Sequence, residues 1–214
     1  MVIFPKLDNV ELKSNMFTSS ALSMLPQGIN FTGTDCTSAF RSTSVGFVDL
    51  SNSELSGKLD GLFEWCGLLR LNIGDGFGRN VTSWKNAFNG CKNLISINGS
   101  LDLSSCTTIY YMFEACDKLE YLDMSAGNTD NLIDCSDNLY NCSSLTTLKL
   151  SENFGHKSTK HQYAFHGLSK LAKIEGSISF KSLNQNVTAG FTGKVNYVLI
   201  KDIGTVNACN QIKI

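Results

Sequence analysis

Met112-Phe113-Glu114-Ala115-Cys116-Asp117-Lys118-Leu119-Glu120-Tyr121-Leu122-Asp123-Met124-Ser125 is followed, after a polar stretch, by Asn138-Leu139-Tyr140-Asn141-Cys142-Ser143-Ser144-Leu145-Thr146-Thr147-Leu148-Lys149-Leu150. Both runs read Φ-x-x-C-x-x-L-x-x-L-x-Φ. Working outward, Phe88 leads Cys91, Leu94 and Ile97, and Phe165 leads Leu168, Leu171 and Ile174. Phe63 leads Cys66, Leu68, Leu71 and Ile73, and Phe40 leads Val45, Val48 and Leu50, both one residue shorter after the anchor. The anchors are Phe17, Phe40, Phe63, Phe88, Phe113, Leu139, Phe165 and Phe191, at steps of 23, 23, 25, 25, 26, 26 and 26 residues. A period of this size running through a chain marks a solenoid, in which each repeat buries its apolar side only against its neighbours.

Within each repeat, L-x-x-L-x-Φ sends alternate residues to one side, the period of a short strand. Such strands stack in parallel at about 4.8 Å from coil to coil. The anchor segments, such as Met112–Ala115 and Ala87–Gly90, predict one helical or 3₁₀ turn each, too short to hold without the stack. A second inward column lies four residues before the anchors, at Cys36, Leu59, Trp84, Ile109, Cys135, His161 and Val187. Three repeats also carry a glycine turn followed by an alternating apolar pair, at Ile29/Phe31, Leu101/Leu103 and Ile178/Phe180. The expected architecture is one domain over residues 1–214, with about eight coils of 23–26 residues. Residues 13–195 form the repeats; 1–12 and 196–214 are candidate caps, because terminal coils must close the stack.

The Met-Phe-x-x-Cys-x-x-Leu-x-x-Leu-x-Φ run resembles the BspA-like branch of the leucine-rich repeats. The likeness spans roughly residues 14 to 195 and is most specific from Trp84 to Leu150. It departs from the family pattern at Ser20 and Thr43, which take the cysteine column after Phe17 and Phe40. The resemblance implies a leucine-rich-repeat solenoid of bacterial surface, secreted or phage origin. It implies a binding or adhesion module that recognises a host protein, matrix component or glycan.

Composition narrows the alternatives. A net charge of −1 with no basic run offers no stripe of cations for phosphates, which argues against nucleic acid. No stretch approaches the 18 apolar residues of a membrane span, and Met1–Asp8 lacks the basic start of a signal peptide. Four of the eight cysteines (Cys66, Cys91, Cys116, Cys142) share one column and read as buried free thiols. Their parallel side chains oppose a disulfide, and no C-x₂-C suggests zinc. Cys106 and Cys209 fall outside the strong columns. His156, His161 and His166 recur every five residues, which suits neither a helix face nor a strand face, so they read as ordinary side chains rather than metal ligands. Gly74-Asp75-Gly76-Phe77-Gly78 lacks the lysine and helix of a phosphate loop and reads as a turn between coils. No catalytic motif, cofactor site or metal site is expected, and an enzyme is disfavoured.

Function then rests on residues that the repeat leaves free. The outward positions of the strands include Phe47, Arg70, Tyr121, Lys149 and Lys173, with Asp123 and Glu175 between them. Aromatic residues and arginine are enriched among binding hot spots, so these five are the candidate ligand contacts. The expected partner is a protein or a glycan. The alternative is a structural spacer or phage tail element with no ligand on this face.

Overall fold

The computed structural model describes residues 9–25 and 29–180, together with the short strand Leu199–Ile200. It is a parallel β-solenoid of about seven turns. Six coils contribute one strand each to the main sheet: β3 (Phe47–Leu50), β5 (Arg70–Ile73), β7 (Ser96–Asn98), β8 (Tyr121–Met124), β9 (Thr147–Leu150) and β10 (Lys173–Glu175). They pair in parallel in the order β10-β9-β8-β7-β5-β3. Burial alternates along them, with Val48, Leu50, Leu71, Ile73, Leu122, Met124, Leu148 and Leu150 inward. That alternation is the period-2 pattern of the repeat, and it leaves one whole face of the sheet to solvent.

A second parallel sheet runs beside it early in the chain. It contains β1 (Val10–Glu11), β2 (Phe31–Thr34), β4 (Glu54–Lys58) and β6 (Val81–Ser83), in that order. Further along it thins to single bridges, Ser83 to Thr108, Thr108 to Asp134 and Asp134 to Lys160. The glycine-turn segments feed this side: Phe31 opens β2, Leu101 and Leu103 are buried around Asp102, and Ile178 ends β11 (Ser177–Ile178). β11 pairs in parallel with β12 (Leu199–Ile200). Val10 and Glu11 pair with Phe31 and Thr32.

The anchor segments correct one expectation. Among the described residues no helix or 3₁₀ turn forms around the anchors. Each anchor from Phe17 to Phe165 is instead flanked by two left-handed residues, two positions before it and two after. Around Phe113 these are Tyr111 (φ 55°) and Ala115 (φ 55°), and around Phe88 they are Asn86 (φ 56°) and Gly90 (φ 70°). A helix would send every N–H to its own coil. Here alternate N–H groups leave the coil: Tyr111 N donates to Ser136 O, Phe113 N to Asn138 O and Ala115 N to Tyr140 O. The intervening ones close turns at home, with Met112 N donating to Ile109 O and Cys116 N to Phe113 O. Left-handed backbone costs an ordinary residue about 1–2 kcal/mol. The coil-to-coil bonds it permits satisfy groups that burial would otherwise orphan.

The core sits between these three sides. Phe17, Phe40, Phe63, Phe88 and Phe113 stack ring on ring, with centroids 5.3, 5.2, 5.6 and 4.9 Å apart in succession. Leu139 interrupts the ladder, and Phe165 then stacks on Phe180 at 5.9 Å. Seven anchors fall within the described residues; Phe191, Val187, Cys209 and nearly all of the 196–214 cap lie outside them.

The cysteine column is buried and unbridged, as are Cys36, Cys106 and Cys135. The thiols also hold the coils together. Cys91 Sγ donates to Phe63 O at 2.9 Å, Cys116 Sγ to Phe88 O at 3.2 Å and Cys142 Sγ to Phe113 O at 3.0 Å. Cysteine suits this column because it fills an apolar slot and can still meet the anchor carbonyl of the preceding coil. Burial pushes the Cys36 thiol up to about 11 and the Cys106 thiol up to about 12, and raises Cys91 and Cys116 as well. Such thiols carry no thiolate for chemistry at neutral pH.

Candidate ligand-binding face

The parallel register aligns the outward positions of the main sheet into columns. Phe47 faces Arg70, Arg70 faces Ser96, Ser96 faces Tyr121, Tyr121 faces Thr147 and Thr147 faces Lys173. Four of the five candidate contacts from the sequence thus lie in one line across six strands. The fifth, Lys149, stands in the next column, paired in register with Asp123 and Glu175.

The line divides into two chemically different halves. In the later half every candidate is already engaged. Lys149 Nζ lies 3.4 Å from Glu175 Oε2 and 5.8 Å from the centre of the Tyr121 ring. Lys173 forms an ion pair with the same carboxylate. Lys173 first, and Lys149 after it, hold the Glu175 carboxyl below its ordinary value. Tyr121 first, then Glu175, hold Lys149 above its own. The Tyr121 hydroxyl donates to Asp123 Oδ2 at 3.2 Å, while Ser100 Oγ (2.7 Å) and Ser125 N (2.9 Å) donate to Oδ1. Burial alone would raise Asp123, but these hydrogen bonds outweigh it and lower its pKa.

The earlier half is unspent. Phe47 is 49% exposed and Leu69 46%. Arg70 is exposed, and its guanidinium makes no hydrogen bond or ion pair among the described residues. Leu69 lies over Gly46, where an added Cβ would meet Leu69 Cδ1 at 3.4 Å, and that brings it beside Phe47. Ile95, half-buried, continues the column of Leu69 one coil on, since Ile95 N donates to Leu69 O. The result is a contiguous aromatic, aliphatic and cationic surface. Leu69 and Ile95 were missed in the sequence. Their signal was the doubled apolar pair, Leu68-Leu69 and Leu94-Ile95, where a strand side needs only one.

The turn side also bears one exposed ring and several half-buried ones outside the sequence candidates. Trp65 is 64% exposed, with Nε1 donating to Glu64. Tyr140 stacks on His166 at 4.9 Å, and Tyr163 meets both edge-on. The three histidines part company: His156 lies 3.4 Å from Asp130, buried His161 stacks on Phe180 at 4.6 Å, and His166 joins the tyrosines. Among the described residues no three His, Cys, Asp or Glu side chains converge as metal ligands, and no helix is long and apolar enough to cross a membrane.

A family model described as the BspA type leucine rich repeat region matches residues 59–194 in six copies. No curated protein matches the chain significantly. Among solved structures, the crystal structure of a TLR13–ssRNA13 complex is similar at 16% sequence identity with a TM-score of 0.35. The match covers 78% of this chain and 28% of that one, so this chain spans under a third of that protein's length.

Proposed function

The chain belongs to the BspA-type leucine-rich repeat family, and from that premise we propose that it is a protein-interaction module whose contact surface is the early half of the main sheet. The observation that supports this is the unspent cluster of Phe47, Leu69 and Arg70, flanked by Ile95. Exposed apolar side chains with a free guanidinium have the composition of an interface centre, where aromatic and arginine anchors carry most of the affinity. In this reading Tyr121, Lys149 and Lys173 serve as a polar rim, since breaking their mutual contacts offsets what new ones contribute. Adhesion to a host or matrix protein is the finer role that the family resemblance implies. A pure spacer would carry self-satisfied side chains along the whole face, as the later half does; the early half departs from that pattern.

An array of extracellular-matrix proteins and glycans, probed with the purified chain, tests the proposal. At least one matrix protein should be retained. Phe47→Ala and Arg70→Ala should each weaken that interaction about tenfold or more, the scale of a hot-spot truncation. Tyr121→Ala and Lys173→Ala should weaken it less. Retention of no protein, or Phe47→Ala and Arg70→Ala binding as tightly as wild type, would overturn the assignment.

A further inference from the structure

The repeat changes length where Phe63 hands over to Phe88, and the change leaves a mark on the surface. The coil of Phe40 runs from Leu50 to Gly57 in seven steps, whereas the next coil takes eight between their facing residues, Ile73 and Val81. The register records where the extra length goes. The offset between facing residues is 23 at Phe47 and Arg70, 24 at Gly57 and Val81, and 25 at Lys58 and Ser83, with an irregularity between the last two pairs. One added residue is therefore taken up by the corner and one by a bulge at Thr82. The two corners run against each other, with Gly74 beside Ser51. Glycine permits the close approach, since a side chain on Gly74 would collide with the Ser51 carbonyl, and Gly78 takes φ 96°.

Beside these corners is a cleft of about 620 Å³, bounded by β2, β4 and residues 74–80. That volume lies within the range of small-molecule sites, but the lining is polar. Thr32, Thr34 and Ser56 contribute hydroxyls from the strands, those of Thr34 and Ser56 hydrogen-bonded to each other at 3.0 Å. Glu54, Asp75 and Asn80 stand at its rim with exposed side chains that make no hydrogen bond or ion pair among the described residues. Arg79 is committed, its Nε 3.2 Å from the buried Asp102 carboxylate. The uncompensated charge of the cleft is thus negative, from Glu54 and Asp75.

We propose that this cleft binds a short neutral saccharide. Hydroxyls that both donate and accept, carboxylates that accept and an amide that does both match the alternating donors and acceptors of vicinal diols. A peptide is a poorer occupant: β2 is paired on both sides by β1 and β4, and β4 by β2 and β6, so neither offers a free edge, and the apolar lining residues, Leu55 and Phe77, are buried. An anionic sugar is disfavoured by Glu54 and Asp75. The site is separate from the strand-face cluster, so either can fail without the other.

Saturation-transfer NMR on the full chain, with lactose, maltose, cellobiose, chitobiose and the anionic 3′-sialyllactose at millimolar concentration, is the test. At least one neutral disaccharide should receive saturation, and sialyllactose less. Glu54→Gln and Asn80→Ala should each raise the dissociation constant severalfold. Thr34→Trp, at an exposed position on β2, should abolish transfer by filling the cleft, with the melting midpoint of each variant held as the check on folding. The proposal is overturned by transfer to none of the neutral sugars, by a preference for sialyllactose, or by binding that all three variants retain. Loss in Phe47→Ala with retention in Glu54→Gln would place the sugar on the strand face and overturn it equally.

Discussion

The coil of Phe113 and the coil of Leu139 are neighbours written in the same code, yet they are built differently. Both place a cysteine thiol on the anchor carbonyl of the coil before, Cys116 on Phe88 and Cys142 on Phe113. Both bury the same leucine columns, Leu119 and Leu122 in one, Leu145 and Leu148 in the other. They part at three consecutive positions. Phe113 lies face to face with Phe88 at 4.9 Å and an interplanar angle of 2°, while Leu139 ends the ring ladder. Met112 fills the site before the anchor with an apolar chain, while Asn138 fills it with an amide that is 0% exposed and, among the described residues, has no partner for either Nδ2 or Oδ1. Tyr111 precedes one anchor and Asp137 the other. A solenoid tolerates such a coil because each repeat answers only to its neighbours, so a weak unit between strong ones lowers stability locally without undoing the stack.

The largest effect should come from making the strong coil weak. Phe113→Ala empties a packed aromatic site and should cost about 3–5 kcal/mol, with the lost ring stack contributing about 0.5–1.5 kcal/mol of that. Chemical denaturation would show it as a lower midpoint; an unmoved midpoint would mean that the ladder carries no load. The reverse change should repair the weak coil. Asn138→Ala installs the residue that Ala39, Ala87 and Ala164 place at the same position, all fully buried. Removing a buried amide without partners should raise stability by about 1–3 kcal/mol, the desolvation penalty of such a group. A fall in stability would show that the amide is satisfied within the folded protein.

The strong columns were legible because burial at a fixed period is a loud signal. From Phe17 to Phe165 each anchor stands where its spacing put it, and the parallel register of the strands followed from the L-x-x-L-x-Φ alternation. The turn segments were misread because a four-residue run such as Met112–Ala115 suits one helical turn as well as a bend whose N–H groups cross to the next coil. The deciding signal lay two residues on either side of each anchor. Gly61, Asn86, Gly90, Asp137, Asn141 and Gly167 are the residue types that accept left-handed backbone. Trp65, Tyr111 and Tyr163 occupy the same positions and obscure the pattern. Of the candidate contacts, the alignment of Phe47, Arg70, Tyr121 and Lys173 follows from repeat register alone. That Glu175 engages both Lys149 and Lys173 does not, because ion pairing depends on how long side chains lie across strands. The cleft beside Gly74 was present in the sequence only as a change of step from 23 to 25, with nothing to say on which side of the coil the extra residues would fall.

Asp137 supplies the smallest test of the difference between the two coils, and the one with a sign that pH can read. Burial first, then the carboxylates of Glu114 and Asp134, raise its pKa, with His166 opposing them. A carboxyl whose pKa is higher in the folded than in the unfolded state binds its proton more tightly when folded. Its cost is therefore absent below the ordinary carboxylate range, where both states are protonated, and fully present once pH has risen through the raised pKa. Asp137→Asn keeps a residue suited to the left-handed backbone at φ 53° and removes the charge. The variant should melt slightly higher than wild type at neutral pH, and the gap should close as the pH falls through the carboxylate range. A gap that stays constant with pH would assign the effect to backbone preference, and the charge at Asp137 would no longer distinguish this coil from the one before it.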